Sequence, residues 1–192
     1  MVILVDFDDV LINTGPSWVS VLNERHGTNV SYDEVVEWGM DKFFPTLTHD
    51  EIYEPLVTGE VWSRVSPIPG ARETIERMIS DGHDVYIVTS SSLNTIGKKW
   101  NEVLQKFFPV IHHDKVIVAQ NKQMIRGDVI IDDAPFNIRG GCTFGILFDT
   151  PHNRGNDAKG LFRATSWNEI YKFVCSMQKV YDEVRSGRNG TR

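Results

Sequence analysis

The sequence has few cysteines, no long apolar run and no excess of basic residues. Its two cysteines, Cys142 and Cys175, lack metal-site spacing and provide no disulfide framework, so we expect a reduced, cytoplasmic protein. The opening segment MVILVDFDDVLI is too short to span a bilayer and has no basic region before its apolar residues. We interpret it as a buried strand rather than as a signal peptide or membrane anchor.

The charge balance limits the classes of binding partner. The 20 Lys and Arg residues are outnumbered by 26 Asp and Glu residues, which gives a formal net charge of -6. An acidic chain lacks the basic surface that nucleic-acid polymers and anionic membranes require. A small anionic ligand held by a few local cations remains compatible with it. The length of 192 residues and the 41% hydrophobic content predict one globular domain with a small insert.

Short apolar runs rich in β-branched residues recur along the chain and are typical of buried strands. The five runs are Val2–Val5, Val85–Val88, Val116–Val118, Val129–Ile131 and Phe144–Phe148. Helical patterns lie between most of them, as over Pro69–Ile79 and Leu93–Phe108, and a last one covers Ser166–Val184. Alternating strands and helices predict an α/β fold, with a parallel sheet flanked by helices.

Residues 15–65 interrupt this alternation. They contain no comparable strand run, and two capping-box patterns begin at Ser31 and Thr48. We therefore predict a helical insert over 15–65, with 1–14 and 66–192 forming the α/β core. The insert is rich in aromatic residues, most of which we expect to form its own core.

Acidic residues gather at the ends of two predicted strands. Three of them follow the first strand and two follow the fourth: Asp6, Asp8, Asp9, Asp132 and Asp133. In open parallel sheets, ligands bind at the carboxyl ends of the strands. If these strands are neighbours, the carboxylates converge and repel each other unless a cation lies among them. Only oxygen ligands are present there, which favours Mg²⁺ over Zn²⁺.

Hydroxyl and lysine side chains provide candidate contacts for an anion. Thr89 and Ser90 follow the second run, where their hydroxyls could donate to an anionic oxygen or cap the next helix. Lys98 and Lys99 lie on that helix, and Lys122 lies ten residues before Asp132. A lysine near the carboxylates could neutralise phosphate charge in a transition state.

These motifs, taken in order, resemble those of haloacid dehalogenase (HAD) superfamily phosphatases. The segment Asp6–Leu11 (DFDDVL) resembles motif I, Ile87–Ser90 resembles motif II, Lys122 fits motif III and Ile130–Asp133 fits motif IV. The agreement covers roughly residues 1–150. The position of the insert is similar to that of a C1-type cap. The segment Val65–Ala71 and the lysine-rich helix ending at Pro109 resemble the 5'(3')-deoxyribonucleotidases, although that family usually has glycine where this chain has Asp9.

The resemblance implies a mechanism and a set of site residues. In the family, the first aspartate, here Asp6, attacks phosphorus, and the second, here Asp8, protonates the leaving alcohol and activates water. The implied Mg²⁺ ligands are Asp6, Asp8 (through its carbonyl), Asp132 and Asp133. The implied phosphate contacts are Thr89 and Ser90, with Lys122 favoured over Lys99, and Lys99 over Lys98, for charge neutralisation.

The resemblance favours a Mg²⁺-dependent phosphatase of (deoxy)ribonucleoside 5'-monophosphates, with an aspartyl-phosphate intermediate. A cap aromatic could stack on the base, and Phe43, Phe44 and Trp62 are the candidates, while His152 and Arg154 could also touch substrate. One alternative is a HAD phosphatase for another small phosphate ester, such as a sugar phosphate. The other is a non-catalytic module that binds a phosphate ligand. Base and sugar preference, 5' or 3' selectivity and oligomeric state stay open.

Overall fold

A computed structural model describes residues 1–138, 140–155 and 161–189, with side chains up to residue 183. The strands are β1 (Val2–Val5), β2 (Asp84–Thr89), β3 (Val116–Val118), β4 (Gly127–Asp132), β5 (Cys142–Phe148) and β6 (Phe162–Ala164). They form one sheet in the order β3-β2-β1-β4-β5-β6, and every neighbouring pair is parallel. The predicted parallel α/β fold is confirmed, with β6 as an additional strand at the edge.

The helices lie between the strands, as the alternation predicts. They are α1 (Thr14–His26), α2 (His49–Thr58), α3 (Glu60–Arg64), α4 (Ala71–Ser80), α5 (Leu93–Lys98), α6 (Gln105–Phe107), α7 (Pro135–Ile138) and α8 (Trp167–Asn189). A π-helical segment, Lys99–Leu104, joins α5 to α6. Short 3₁₀ turns occur at Tyr32–Glu34, Met40–Lys42, His113–Lys115, Lys122–Met124 and Pro151–Asn153. Across the described ranges, no helix combines the length and apolarity needed to cross a membrane.

The central strand β1 is buried on both faces of the sheet. Successive side chains of a strand point to opposite faces, so Ile3 and Val5 join one apolar cluster while Leu4 joins another. Val5 pairs with Ile131 of β4, and the N–H of Asp6 donates to the Ile131 carbonyl at 2.8 Å. Because of this register, the residues that follow β1 and those at the end of β4 lie next to each other at the same edge of the sheet.

The segment between β1 and α4 contains α1, α2 and α3 but no strand, in agreement with the predicted helical insert. Part of it has an apolar cluster of its own, formed by Val19, Leu22, Val35, Met40, Phe44 and Ile52. The predicted capping box of α2 is present, since Thr48 and Glu51 exchange hydrogen bonds. The domain boundaries at 15 and 65 stay a prediction, and α1 begins one residue earlier, at Thr14.

Candidate active site

A cavity of about 620 Å³ lies at the carboxyl ends of β1, β2 and β4, and the insert forms its other wall. This volume is in the range of small-molecule sites. The core lines it with acidic, hydroxyl and lysine side chains, whereas the insert contributes mainly apolar and aromatic ones. The cavity is therefore charged where the sheet ends and apolar under the insert.

The structure brings the two predicted acidic pairs together. Carboxylate oxygens of Asp6, Asp132 and Asp133 lie within 4.8 Å of one another, and all three residues are buried. The cause is the neighbouring position of β1 and β4 in the sheet. A second group, formed by Asp9, Asp133 and His152, has ligand atoms within the same distance. Asp133 belongs to both groups.

Asp6 is held by contacts on one of its oxygens. Its Oδ1 accepts the Phe7 N–H at 2.6 Å and lies 2.5 Å from the Lys122 ammonium. The pKa of Asp6 is raised to about 7, first by burial and then by the charge of Asp132, while the charge of Lys122 acts to lower it. Hydrogen-bond donors therefore hold the Oδ1 atom of the Asp6 carboxylate in place.

Lys122 bridges two carboxylates behind the cavity. Its ammonium lies 2.9 Å from Asp132 Oδ2, and the Asp132 oxygens also accept N–H groups of Ala134 and Asn137. Although burial lowers the pKa of Lys122, the charges of Asp6 and Asp132 raise it above its ordinary value. Because both oxygens of Asp132 already have donors, this residue mainly orients Lys122, which leaves Asp133 as the freer carboxylate of the pair.

Asp8 and Lys99 form a second charged pair at the site. Asp8 accepts the Thr14 hydroxyl at 2.8 Å and forms an ion pair with Lys99. Lys99 opens the π-helical segment and is buried, and its ammonium also donates to Thr89 Oγ1 at 3.3 Å. It lies 5.0 Å from the ring centre of Trp62, a cation–π contact.

Neighbouring Lys98 points away from this group. Its ammonium donates to the Thr58 carbonyl at 2.6 Å, and its side chain does not line the cavity. Adjacent helical residues point in different directions, which explains the divergence from Lys99. The structure therefore brings Lys99 and Lys122, but not Lys98, to the acidic cluster.

The hydroxyls after β2 are arranged differently from the prediction. Thr89 is buried behind Lys99 and hydrogen-bonds Ser91 at 3.0 Å. Ser90, which lines the cavity, donates to the Ala119 carbonyl at 3.0 Å, and Ser91 also lines the cavity. Side chains two residues apart in extended chain share a face, so Thr89 pairs with Ser91 rather than with Ser90. Ser91 was not among the predicted residues.

Only one of the three predicted cap aromatics reaches the cavity. Trp62 lines it, with its indole N–H donating to the Leu56 carbonyl at 2.8 Å. Phe43 and Phe44 do not line it, because both pack in the apolar cluster of the insert. For these two residues the ordinary core role is the one that the structure supports, and the expected base contact is corrected.

Several aromatic residues at the cavity were missed from the sequence. Trp38 of the insert contacts Phe136 of the core at 5.7 Å and His152 at 4.3 Å between ring centres. Nothing in their local pattern distinguishes these rings from other exposed aromatics. They meet through the docking of the insert on the core, which a sequence pattern does not describe.

His152, a predicted substrate contact, lines the cavity. Its Nε2 lies 2.8 Å from Asp133 Oδ2 and 2.9 Å from the Thr150 hydroxyl. Burial lowers the pKa of His152 to about 4, so the ring is neutral at neutral pH. Arg154 instead pairs with Asp149 at 3.0 Å, outside the cavity lining.

The chemistry of the cluster fits a hard divalent cation. Among the residues that the structure describes, five carboxylates, those of Asp6, Asp8, Asp9, Asp132 and Asp133, meet two ammonium groups, those of Lys99 and Lys122. Burial, followed by the charge of Asp6, raises the pKa of Asp133 well above its ordinary value. An excess of buried negative charge with mostly oxygen donors is suited to a divalent cation. The carboxylates of Asp6, Asp132 and Asp133 lie close enough together to share one.

Two curated proteins of similar sequence have the same named activity. The chain is 29% identical over 170 residues to a 5'(3')-deoxyribonucleotidase of Bacillus subtilis, covering 88% of this chain and 95% of that protein. It is 26% identical over 177 residues to a 5'(3')-deoxyribonucleotidase of Clostridium acetobutylicum, covering 92% and 96%. Both alignments extend over nearly all of the relative.

Solved structures share the fold. A HAD family hydrolase of Deinococcus radiodurans, with bound phosphate and sodium, has a TM-score of 0.57 at 18% identity, covering 88% of this chain and 92% of that one. A putative phosphoglycolate phosphatase of Lactobacillus delbrueckii has a TM-score of 0.64 at 12% identity, covering 90% and 97%. The family model described as 5' nucleotidase, deoxy (pyrimidine), cytosolic type C (NT5C) matches residues 1–180. The chain therefore belongs to the NT5C family of 5' nucleotidases, on a HAD-like fold.

Proposed function

We propose that this protein is a Mg²⁺-dependent phosphomonoesterase that hydrolyses (deoxy)ribonucleoside 5'-monophosphates through an aspartyl-phosphate on Asp6. The observation that carries the proposal is the meeting of Asp6, Asp133 and Lys122 at the charged end of a cavity of about 620 Å³. Membership of the family, and the 5'(3')-deoxyribonucleotidase activity for which the relatives are named, support the same substrate class. The cytoplasmic location stays a prediction.

The proposed first step uses Asp6 and Asp8. The free carboxylate oxygen of Asp6 attacks phosphorus, and the bond between phosphorus and the ester oxygen breaks. Asp8 enters this step in its protonated form, with the Lys99 ammonium turned from Asp8 to the phosphate, and gives its proton to the leaving nucleoside oxygen. In the second step, Asp8 takes a proton from water, which attacks the same phosphorus and releases phosphate and Asp6. Asp8 is reprotonated in this step, so the enzyme returns to its starting state.

Cations in the site would balance the charge of the phosphoryl group. Lys122 contacts the nucleophile directly, and Lys99 contacts Asp8, so both lie close to the reacting atoms. We assign the metal to the Asp6 and Asp133 carboxylates and the Asp8 carbonyl, with Asp132 supporting from behind. The bound Mg²⁺ would let an anionic carboxylate approach an anionic phosphate.

The remainder of the substrate would be held by hydroxyl and aromatic groups. Ser90 and Ser91 line the cavity beside the lysines, and we propose the Ser91 hydroxyl and the main-chain N–H groups of both residues as phosphate contacts. The Ser90 hydroxyl keeps its bond to the Ala119 carbonyl, and Thr89 places Lys99. Trp62 and Trp38 line the part of the cavity under the insert. A base stacked there would bury apolar surface on both faces.

A phosphate-release screen of the purified protein tests the proposal. Deoxyribonucleoside and ribonucleoside 5'-monophosphates, 3'-monophosphates and sugar phosphates would be compared, each with Mg²⁺ and with a chelator. We expect the highest kcat/KM for a nucleoside 5'-monophosphate and no turnover with the chelator. Equal or faster turnover of sugar phosphates would favour the other phosphatase, and phosphate-ester binding without turnover would favour the non-catalytic module.

A further inference from the structure

Asp9 has a main-chain conformation that glycine adopts more easily. Its φ is 55°, and within residues 1–138, 140–155 and 161–189 it is the one non-glycine residue with a positive φ. Glycine adopts this region freely, whereas a residue with a Cβ atom is disfavoured there, Asp and Asn less than the others. If the turn alone mattered, glycine would serve better, so the carboxylate has a use that offsets this cost.

Both oxygens of Asp9 have defined partners. Oδ1 accepts the N–H of Gly15, in the first turn of α1, at 2.8 Å. Oδ2 accepts the hydroxyl of Tyr32, from the 3₁₀ turn of the insert, at 3.1 Å. The carboxylate thus connects the loop after β1 to a residue 23 positions further along the chain.

Gly15 makes this contact sterically possible. A Cβ atom at this position would overlap the Cε2 atom of Tyr32 and would lie 2.7 Å from Asp9 Oδ2. The absence of a side chain at Gly15 therefore leaves the space that the Tyr32 ring occupies. Asp9, Gly15 and Tyr32 therefore form one fitted contact, which we call the Asp9–Tyr32 contact.

This contact fixes a specific part of the cavity wall. Residues 35 and 37–40, which follow Tyr32 closely in the chain, line the cavity. Trp38 in this stretch lies against His152 of the core, at 4.3 Å between ring centres. This stretch of the wall is therefore connected, through Tyr32, to Asp9 beside the reacting groups.

We infer that Asp9 is a positioning residue that acts through Tyr32: it holds the wall formed by residues 35–40 in place for the nucleoside part of the substrate. The inference rests on the proposed function for the identity of the substrate. p-Nitrophenyl phosphate has no sugar between its phosphate and its ring, so it extends less far from the phosphate than a nucleotide does. The Asp9–Tyr32 contact would then determine preference for nucleotides over smaller esters.

Two variants on opposite sides of the contact test the inference. Tyr32→Phe removes only the hydroxyl, and Asp9→Gly removes the carboxylate while relieving the backbone. Tyr171→Phe is the matched control, since it removes a tyrosine hydroxyl that donates to Asp81 outside the cavity lining. For each protein, kcat and KM are measured with a deoxyribonucleoside 5'-monophosphate and with p-nitrophenyl phosphate.

We expect the ratio of kcat/KM for the nucleotide to that for p-nitrophenyl phosphate to fall about fivefold in either variant, mainly through KM. The double variant should fall no further than each single one, because both remove the same contact. The control should keep the wild-type ratio. Wild-type ratios in both single variants, or losses that multiply in the double variant, would overturn the inference.

A second measurement is independent of substrate identity. Hydrogen–deuterium exchange of residues 31–40 should be faster in Tyr32→Phe and Asp9→Gly than in the wild type and the control. Unchanged exchange in both variants would overturn the positioning role. If the wild-type enzyme does not prefer nucleotides, the proposed function fails, and faster exchange would still support the anchoring of the wall by Asp9.

Discussion

Asp6 follows β1, and its N–H donates a hydrogen bond to the Ile131 carbonyl. One of its carboxylate oxygens accepts the Phe7 N–H and contacts the Lys122 ammonium. The side chain is buried and cannot turn away from the cavity without losing these partners. Its position follows from the sheet. Asp6 is the first residue after β1, and the neighbouring strand β4 ends at Asp132, which Asp133 follows. In the proposed mechanism, Asp6 is the residue on which activity depends most directly.

Asp6→Asn should lower kcat by at least about 10³-fold, because an amide oxygen is a poor nucleophile. Asn has the same shape as Asp, so the fold should persist, as circular dichroism would verify. Asp128→Asn is a matched control on the neighbouring strand, where the carboxylate accepts the Val2 N–H at the opposite end of the sheet. Full turnover by Asp6→Asn would show that the covalent route is wrong.

Lys99 and Lys98 offer a comparison between adjacent lysines. Lys99→Met should lower kcat about 10²-fold, since it removes the cation paired with Asp8. Lys98→Met should leave kcat within about twofold, because Lys98 bonds only a main-chain carbonyl of the insert, at Thr58. Steady-state kinetics with one nucleotide would separate them, and equal effects of the two substitutions would contradict the assignment.

The sequence predicts the acidic residues of the site better than its other members. Asp6, Asp8, Asp132 and Asp133 follow strands whose apolar runs are visible in the chain. Ser91 was missed because the strand-end geometry decides which hydroxyl shares a face with Thr89. Trp38 and His152 were not recognisable as partners, since they lie far apart in sequence and meet only where the insert docks on the core.

At the scale of secondary structure, the π-helical segment Lys99–Leu104 has a direct effect on the site. An extra residue in a helical turn changes which side chains face the sheet. Lys99, Val103 and Leu104 are all buried in this segment, so the lysine is directed inward together with apolar side chains. The sequence predicted one helix over Leu93–Phe108 and gave no sign of the wider turn.

Thr48→Ala tests the importance of a predicted helix cap in the insert. Thr48 and Glu51 satisfy each other's main-chain N–H groups at the start of α2, with Thr48 N to Glu51 Oε2 at 2.8 Å. Loss of such a cap costs about 1 kcal/mol, which corresponds to a melting temperature lower by about 2–4 °C. Calorimetry would measure it. An unchanged melting temperature would show that α2 does not depend on its cap.

Apolar sequence, rather than length, explains which strands could be predicted. The strands β1, β2, β4 and β5 contain continuous apolar runs, and so does the three-residue edge strand β3. The edge strand β6 has three residues, with Arg163 at its centre, and Arg163 bonds Asp149 at 2.8 Å. A short edge strand with a charged residue has no apolar pattern, so it was not predicted.

At the scale of the whole molecule, the sheet and the insert meet around a concentration of negative charge. Burial raises the pKa of both Asp6 and Asp9 to about 7, from ordinary values near 3.8. Between about pH 4 and pH 7, the folded protein without a cation therefore binds more protons than the unfolded chain. Stability of the metal-free protein should fall as the pH rises through this range.

A divalent cation competes with these protons and should reverse the trend. At about ten times its Kd, Mg²⁺ should raise the melting temperature by about 4 °C near pH 7.5, with a smaller rise near pH 5.5. Thermal unfolding with and without Mg²⁺ at both pH values measures the difference. The same shift in Asp6→Asn as in the wild type would contradict binding at this site.

The most direct test of the account is to observe the phosphoryl group on the protein. Wild-type enzyme is mixed with a deoxyribonucleoside 5'-monophosphate and Mg²⁺, quenched in acid at short times, digested and mapped by mass spectrometry. We predict one phosphoryl group on Asp6, which appears before phosphate is released and is absent in Asp6→Asn. Phosphate release with no phosphoryl group on Asp6 at any time, or with the phosphoryl group on another residue, would contradict the covalent role of Asp6.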